Sequence, residues 1–597
     1  MLPKTYIVDS EHKRELLFEK LKEQEYVACD IETSGFNPFK DKILCIGFSY
    51  KSGTGISMPL YHRDSQLRPD LDYLQCLFAL PNIKWIGHNF KFDMSFLRCL
   101  GIKLDLYFDT MLAHYCTWEF RGTQGLKYLA THELGYDDWE SILRSYVPNK
   151  ALSFELVPIE VLLRHNAIDA AATFDLYLAY KDKTPSVFWD VLMPATAMIL
   201  ECELEGVKID MAYLKQFTQI IEDKLLSVTE KLKEYANINF DSPKQVKKLL
   251  FEDLKLPDYN DGSVDAQALE KLMDSHPIIP LLTEYRTYQK IKSVWVDNTL
   301  QLVDKNCYIH PDIHLHATVT GRLACNKPNL MAVTRDKDIK KIFTAKDTCL
   351  WVESDYKMLE LKVAAAIAKD EHLSTLIASG VDVHSVIGGK ILGKDPAHIT
   401  EDERTLAKTI TFGILYGRSA YSIAEGLGIS EQAAQEYIDY IYTIFPKLKY
   451  YIQARIKELY QNKQIVGIQD RVRHFFDPID KKAIREAINF PIQSLASDIT
   501  LKSAIYLYKL FRSLHSGSRI LFTVHDAIMF EIPEHEFSWV IRAIKEIMTS
   551  MPFKFFPDCK FSWNVEIAAG KSWGELEVVE VEEADPLPAW QLSLINF

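Results

Sequence analysis

The 597-residue sequence places no CxxC pair among its ten cysteines, so neither a disulfide framework nor a zinc site is expected and a reducing compartment fits best. No run approaches the roughly 18 apolar residues of a membrane span, which leaves no membrane role to expect. The opening MLPKTYIVDSEHKRELL has neither the apolar core of a secretion leader nor the Arg-rich, acid-poor character of an organelle leader, so the expected location is the cytoplasm. Internal repeats are missing. A basic excess is missing too: the net charge is −13, the wrong sign for a protein that grips phosphates. That charge is unevenly spread, because Glu575 to Asp585 holds six acidic residues and no basic one. Other carboxylates fall in candidate metal sites, where bound ions would neutralise them. Nucleic acid therefore stays open as a partner.

What is present is the balance of a folded soluble protein, 48% hydrophobic and 25% charged. At roughly 100 to 200 residues per domain the length predicts about three to five units. The first 180 or so residues alternate short apolar strands (YVACDIET, ILCIGFSY, IKWIGHNF) with helical stretches and read as an α/β domain, with a boundary at Lys181 to Pro185. From about Met211 long amphipathic helices take over, including a Lys-bearing SPKQVKKLLFEDL segment. Strands return near Leu315 and Leu350, helices dominate from about Glu360 to Asn462, and a hairpin-like pair follows at ILFTVHDAIMFEI.

Strand alternation in YVACDIET puts Asp30 and Glu32 on one face. GHNFKFDMSFL adds Asn89 and Asp93, and a helical VLLRHNAIDAAATFDLY sets His165 and Asp169 four apart on one face. Any one of these acids alone reads as a surface charge or a helix cap. Four acids from three segments could instead hold two cations about 3.5 to 4 Å apart, the arrangement of a two-metal nuclease. Histidine beside them could orient or deprotonate water near neutral pH.

A second constellation lies further on. LWVESDYKMLELKVAAAIAKD reads as an apolar strand ending at Asp355 and running into a helix, and LFTVHDAIMFEI as two strands meeting at His525 and Asp526. Two such acids brought together would hold two Mg²⁺ ions. Between them, Thr400 with Glu403 predicts a capping box, Gly417 a helix stop, and the helix so bounded carries Arg404, Lys408, Phe412 and Tyr416 at every fourth position. Cations on that stripe could meet a triphosphate and rings could stack on a base pair; a solvated basic face is the plainer alternative. The GKS of AAGKSW is not a phosphate loop, since the first glycine of GxxxxGK would fall at Val565.

Together these segments resemble family A DNA polymerases. DYKMLEL is similar to the first palm motif, RTLAKTITFGILYG to the nucleotide-binding fingers helix, and VHDA to the second palm motif. TVTGRLACNKPNL resembles the segment whose arginine, here Arg322, meets the primer-terminal minor groove, and REAINFPIQSLASDI the one that sets Arg485, Asn489 and Gln493 by the template. The first-domain acids resemble the DEDD 3′-to-5′ exonucleases that proofread in the same family. The resemblance covers nearly the whole chain and implies a multi-domain α/β and α+β fold. A ribonuclease H-like exonuclease domain would fill residues 1–183 and a right-hand polymerase domain 184–574, with thumb about 208–300, fingers about 370–490 and palm from the flanking segments.

The implied activity is template-directed, DNA-dependent DNA synthesis with 3′-to-5′ proofreading, in replication or repair, on primer-template DNA and deoxynucleoside triphosphates. The implied cofactor is Mg²⁺, two ions per site, with Mn²⁺ as substitute. By the same resemblance Asp355, Tyr356 and Asp526 form the polymerase metal set, and Asp30, Glu32, Asp93 and Asp169 the exonuclease one. Lys408 would donate a proton or charge to pyrophosphate. Arg404, Phe412, Tyr416 and His384 would surround the nucleotide, and Glu360 would pack beneath its sugar and exclude a ribose 2′-hydroxyl. His525 and Asn89 join the DNA contacts, and Phe412 in place of Tyr implies poor use of dideoxynucleotides. The location becomes the cytoplasm of a bacterial cell or a phage-infected host.

Three features depart from the family pattern. His165 stands where a Tyr is usual, Ala527 where a Glu follows His-Asp, and Lys357 and Met358 where Ser and Gln are commoner. No long insertion interrupts Tyr213 to Lys292, so thioredoxin is not an expected partner, and a 5′-nuclease domain is not expected in this chain. The segment 575–597 reads as an acidic tail ending in PAWQLSLINF, whose Gln591, Leu592, Leu594 and Phe597 resemble sliding-clamp-binding peptides. Two rivals stay open: a single-subunit RNA polymerase, opposed by Glu360, Phe412 and the exonuclease, and a catalytically silent replication scaffold, permitted by His165 and Ala527.

Overall fold

The apolar runs of the first 110 residues assemble into a six-stranded mixed sheet. Its strands are β1 (Lys4–Ile7), β2 (Tyr26–Thr33), β3 (Ile43–Lys51), β4 (Thr54–Pro59), β5 (Lys84–Gly87) and β6 (Leu106–Asp109), in the order β1-β4-β3-β2-β5-β6. This computed structural model describes residues 2–148, 153–259 and 261–581, without the side chain of Phe412. Phe412's side chain and the clamp-like Gln591, Leu592, Leu594 and Phe597 thus lie outside the described residues. Central strands β2 and β3 are buried along nearly their whole length, which explains their continuous hydrophobicity: both faces are covered.

One cover is the helix Ile159–Tyr180, which lies almost directly on the sheet. A Cβ at Gly55 would fall 1.7 Å from the carbonyl oxygen of Ala167, and one at Gly47 2.7 Å from that of Asn166. Only glycine at these two strand positions lets the helix backbone come so close. That approach brings His165 and Asp169 down to the edge of β2.

The second sheet has five strands, all antiparallel, in the order Arg519–Val524, Ala527–Pro533, Cys349–Tyr356, Val565–Gly570, Glu577–Val578. The Asp355 strand is its centre. Trp351 stacks on Trp573 at 5.7 Å and 11°, and the Trp573 indole donates to Glu353 at 2.9 Å. These contacts fix the strand from beneath. Behind the sheet runs the helix Lys481–Ser513.

The predicted capping box forms: Thr400 N–H donates to Glu403 at 3.0 Å, and Glu403 N–H to the Thr400 hydroxyl at 3.3 Å. The helix Glu401–Leu415 that it opens ends before Gly417, whose φ of 64° is the left-handed geometry of a helix stop. The helices Met211–Lys233 and Ile278–Ile291 share a separate small core built on Val228, Leu232, Leu250, Ile278 and Leu282. Among the described residues no helix is long and apolar enough to cross a membrane.

The two sheets belong to one framework. A continuous buried apolar cluster runs from Phe108 and Tyr177 to Trp351 and Trp573. Polar contacts seal it: the Tyr115 hydroxyl donates to the Thr318 carbonyl at 2.7 Å, and Glu119 accepts from Arg473 at 2.9 Å and from the His474 N–H at 2.8 Å.

Candidate active sites

The first site gathers at β2. Asp30 and Glu32 leave the strand on the same side, Asp93 comes from the helix Lys91–Cys99, and His165 and Asp169 from the helix Ile159–Tyr180. Asp93 accepts the Ile31 N–H at 2.9 Å, and Asn166 donates to Asp30 at 2.8 Å. His165 Nδ1 sits 3.1 Å from Glu32 Oε1 and 3.6 Å from Asp169 Oδ2. Burial, then the charges of Asp169, Asp93 and Glu32, push the Asp30 carboxyl well above its ordinary value. Burial likewise raises Asp93, against the pull of the Ile31 N–H.

Asp169 goes the other way. Burial resists its charge, yet Lys127, His165 and the Trp139 indole outweigh it and hold the carboxyl below its usual range. Both oxygens are engaged: Trp139 Nε1 donates to Oδ1 at 2.6 Å and the Lys127 ammonium to Oδ2.

The donor chemistry fits a divalent cation. Glu32, His165 and Asp169 each offer a ligand atom, all within 4.8 Å of one another. Buried carboxylates that repel each other are stabilised when a cation enters between them. His165 Nε2 is buried with no hydrogen-bond partner among the described residues, so one donor atom is free. Asn89 precedes the helix that carries Asp93. Its φ of 52° turns the chain into the Asp93 helix, and its N–H donates to Asp109 at 3.2 Å.

The second site lies at the open end of the second sheet. Asp355 stands across from Ala527 on one neighbouring strand and Glu566 on the other, so Asp526, one residue before Ala527, adjoins it. His525 adopts φ 53° at the turn, and the Tyr356 N–H reaches the Asp526 carbonyl at 3.4 Å. Burial, followed by the charges of Glu353 and Glu566, raises Asp355 to about 6. Burial, Glu360 and Asp355 raise Asp526 to about 7, with Arg322 opposing. Two neighbouring acids that resist ionisation again form a cation-seeking pair.

Of Tyr356, the phenol faces the core: it is buried, donates to the Met548 carbonyl at 2.7 Å and meets the Ser503 hydroxyl at 2.8 Å. Side chains alternate along a strand, so the residue after Asp355 must face the core. Only its main-chain carbonyl remains as a metal donor.

Around the acids a polar network closes. Glu360 accepts from the Tyr416 hydroxyl and from Arg322, binding the helix Leu359–Ala368, the stripe helix and the Arg322 loop together. Arg404 is held by Asp382 and by Glu401, the latter at 3.2 Å, so its charge is already half answered. His384 is buried and its pKa falls to about 4, because burial and the nearby Lys408 and Arg404 disfavour the imidazolium, although Asp382 opposes them. Without a ligand its ring is uncharged near neutral pH. Burial lowers His525 too, with Arg322 adding to the shift.

Beside this network opens a cleft of about 460 Å³ lined by Thr320, Tyr416, Arg418, Arg473, Lys482, Arg485, Asn489 and Gln493, among others. Arg485, Asn489 and Gln493 recur at helical spacing and share it. The Asn489 amide also donates to the Tyr416 carbonyl at 3.3 Å, coupling the cleft wall to the stripe helix.

Sequence reasoning missed five contributors. Lys127 and Trp139 carry no motif, and Gly47 and Gly55 are ordinary strand glycines until the helix above them is known. Glu566 was missed as well: it sits in a strand far along the chain and meets Asp355 only through sheet register.

Comparisons with known proteins match both parts of the chain. A family model described as DNA polymerase family A matches residues 211–575, and one described as 3′-5′ exonuclease matches residues 5–184. DNA polymerase I of Chloroflexus aurantiacus is 28% identical over 94% of this chain and 62% of its own length. That of Borreliella burgdorferi is 29% identical over 94% of this chain and 63% of its own length. The DNA polymerase of Bacillus phage SP01 is 27% identical over 94% of this chain and 73% of its own length. The chain thus spans under two thirds of the two bacterial relatives. Among solved structures, the POL domain of Pol1 from M. smegmatis, in complex with DNA primer-template and dNTP, superposes with a TM-score of 0.82 at 24% identity, covering 96% of this chain and 99% of that one. This likeness concerns the fold.

Proposed function

Because this chain belongs to DNA polymerase family A, with a 3′-5′ exonuclease domain in front, we propose that it is a DNA-directed DNA polymerase that proofreads its own product. The observation that carries the reading is the cross-strand placement of Asp355 beside Ala527, and so beside Asp526, with neighbouring Glu360 bound by Tyr416 just past the helix that carries Arg404 and Lys408. The exonuclease domain corresponds to residues 1–183 and the polymerase domain to 184–574, with thumb about 208–300, fingers about 370–490 and palm around them.

Divalent cations, Mg²⁺ or Mn²⁺, held by Asp355 and Asp526 would acidify the primer 3′-hydroxyl and neutralise phosphate charge. The chain's own groups do the rest. Lys408, on the stripe helix, would supply charge or a proton to the departing pyrophosphate. Glu360, pinned by Tyr416 and Arg322, forms a fixed floor under the sugar that a 2′-hydroxyl would strike. Arg322 and His525 border the primer end, and Arg485, Asn489 and Gln493 the template base. In the exonuclease, Asp30, Glu32, Asp93 and Asp169 would hold cations around the scissile phosphate, and His165 would orient the attacking water. Asn89 would contact the frayed strand. Most duplex affinity would come from phosphate contacts and fall with salt. Residues 588–597 would dock on a sliding clamp.

The test is a paired substitution. Asp355→Ala should abolish primer extension and spare primer degradation, and Asp30→Ala with Glu32→Ala should do the reverse. Extension that survives Asp355→Ala would overturn the polymerase reading, and degradation that survives the double change would overturn the exonuclease one.

A further inference from the structure

The carboxylate cluster on β2 contains a cation that no motif announces. Lys127 lies in the first turn of the helix Leu126–Leu134, and its side chain is only 28% exposed. The ammonium is turned inward onto Asp169 Oδ2 and lies 4.9 Å from the centroid of the Trp139 ring. Trp139, itself buried, grips the other oxygen of the same carboxylate at 2.6 Å. Lys127 and Trp139 therefore hold Asp169 from both sides, and the lysine feels the charges of Glu32 and Asp30 as well. Asp169 Oδ2 also lies 3.6 Å from His165 Nδ1, so an ion that took this oxygen among Glu32, His165 and Asp169 would share it with the ammonium.

Two cations on one oxygen repel each other strongly in a buried site. A surface lysine paired with a surface acid would contribute little. This pair differs, because its carboxylate is buried, doubly gripped and one of four acids crowded together.

We propose that Lys127 is a resident counter-ion and positioning residue of the exonuclease. It holds the Asp169 carboxylate in place and supplies part of the positive charge that the cluster would otherwise draw from divalent cations. The inference rests on the exonuclease reading above. It implies that the cluster keeps its geometry at low divalent concentration and that metal affinity is held down in exchange for a prepositioned Asp169.

The experiment uses the full chain with Asp355→Ala and Asp526→Ala, so that Mn²⁺ titration calorimetry reports chiefly on the cluster. Adding Lys127→Met should tighten Mn²⁺ binding at least about tenfold, since a competing charge is removed. It should also lower the melting temperature in EDTA, with excess Mn²⁺ restoring it to the parent value. In the otherwise natural chain Lys127→Met should slow primer degradation about tenfold or more through loss of preorganised charge, leave primer extension unchanged, and be partly rescued by Lys127→Arg. Unchanged Mn²⁺ affinity, or a melting deficit that Mn²⁺ does not repair, would reduce Lys127 to a packing role and overturn the proposal. If Asp30→Ala with Glu32→Ala abolishes degradation while Lys127→Met has no effect, only this inference fails. If the double change itself has no effect, the exonuclease reading fails first.

Discussion

Protons and divalent cations compete for Asp355 and Asp526, which gives extension a defined pH dependence. Both carboxyls are raised, to about 6 and about 7, so the sign is fixed: lowering the pH protonates the groups that cations need. Treating the two as independent, about nine tenths of molecules carry both charges at about pH 8, but only about one twentieth at about pH 6. The Mg²⁺ concentration giving half-maximal extension should therefore rise about twentyfold from about pH 8 to about pH 6. Initial rates of single-nucleotide addition across a Mg²⁺ series, at constant ionic strength and saturating nucleotide, measure this directly. Glu566→Gln tests the cause, because Glu566 is one of the charges that raise Asp355, and its removal should shrink the rise. A half-saturating Mg²⁺ that moves less than about threefold over that range, or a steeper rise in Glu566→Gln, would refute the reasoning.

Further outcomes follow from other contacts. Arg471 and Asp498 form a buried pair with bonds of 2.7 to 3.1 Å, so Arg471→Met should cost about 3 to 5 kcal/mol in urea denaturation, and Arg471→Met with Asp498→Leu distinctly less. Glu360→Ala removes the floor that Tyr416 and Arg322 hold, and single-turnover incorporation of ribonucleotides relative to deoxynucleotides should rise about tenfold or more. Deleting residues 588–597 should reduce extension length in the presence of a sliding clamp and leave clamp-free synthesis untouched; equal clamp-dependent synthesis before and after would remove the tail from the partner list.

Much of the candidate chemistry was legible because it is local. A DxE pair must share a strand face, His165 and Asp169 must share a helix face, and Thr400 with Glu403 must cap a helix; each needs only backbone periodicity. Tyr356 follows the same rule: it neighbours Asp355 in sequence, and strand alternation sends its phenol to Ser503 and Met548. His384 shows a limit, since its neutrality depends on burial beside Lys408 and Arg404, and burial is a property of the fold.

The order of residues by itself determined which acids exist, which lie in strands and which helix carries the cationic and aromatic stripe, because short-range spacing and capping are fixed by covalent geometry. Only the folded chain decided that Glu566 flanks Asp355, that Lys127 and Trp139 grip Asp169, and that Gly47 and Gly55 let a helix settle onto the sheet. Those meetings depend on strand register and close packing between segments tens to hundreds of residues apart, where the free energy of burial, and not local spacing, selects the partner.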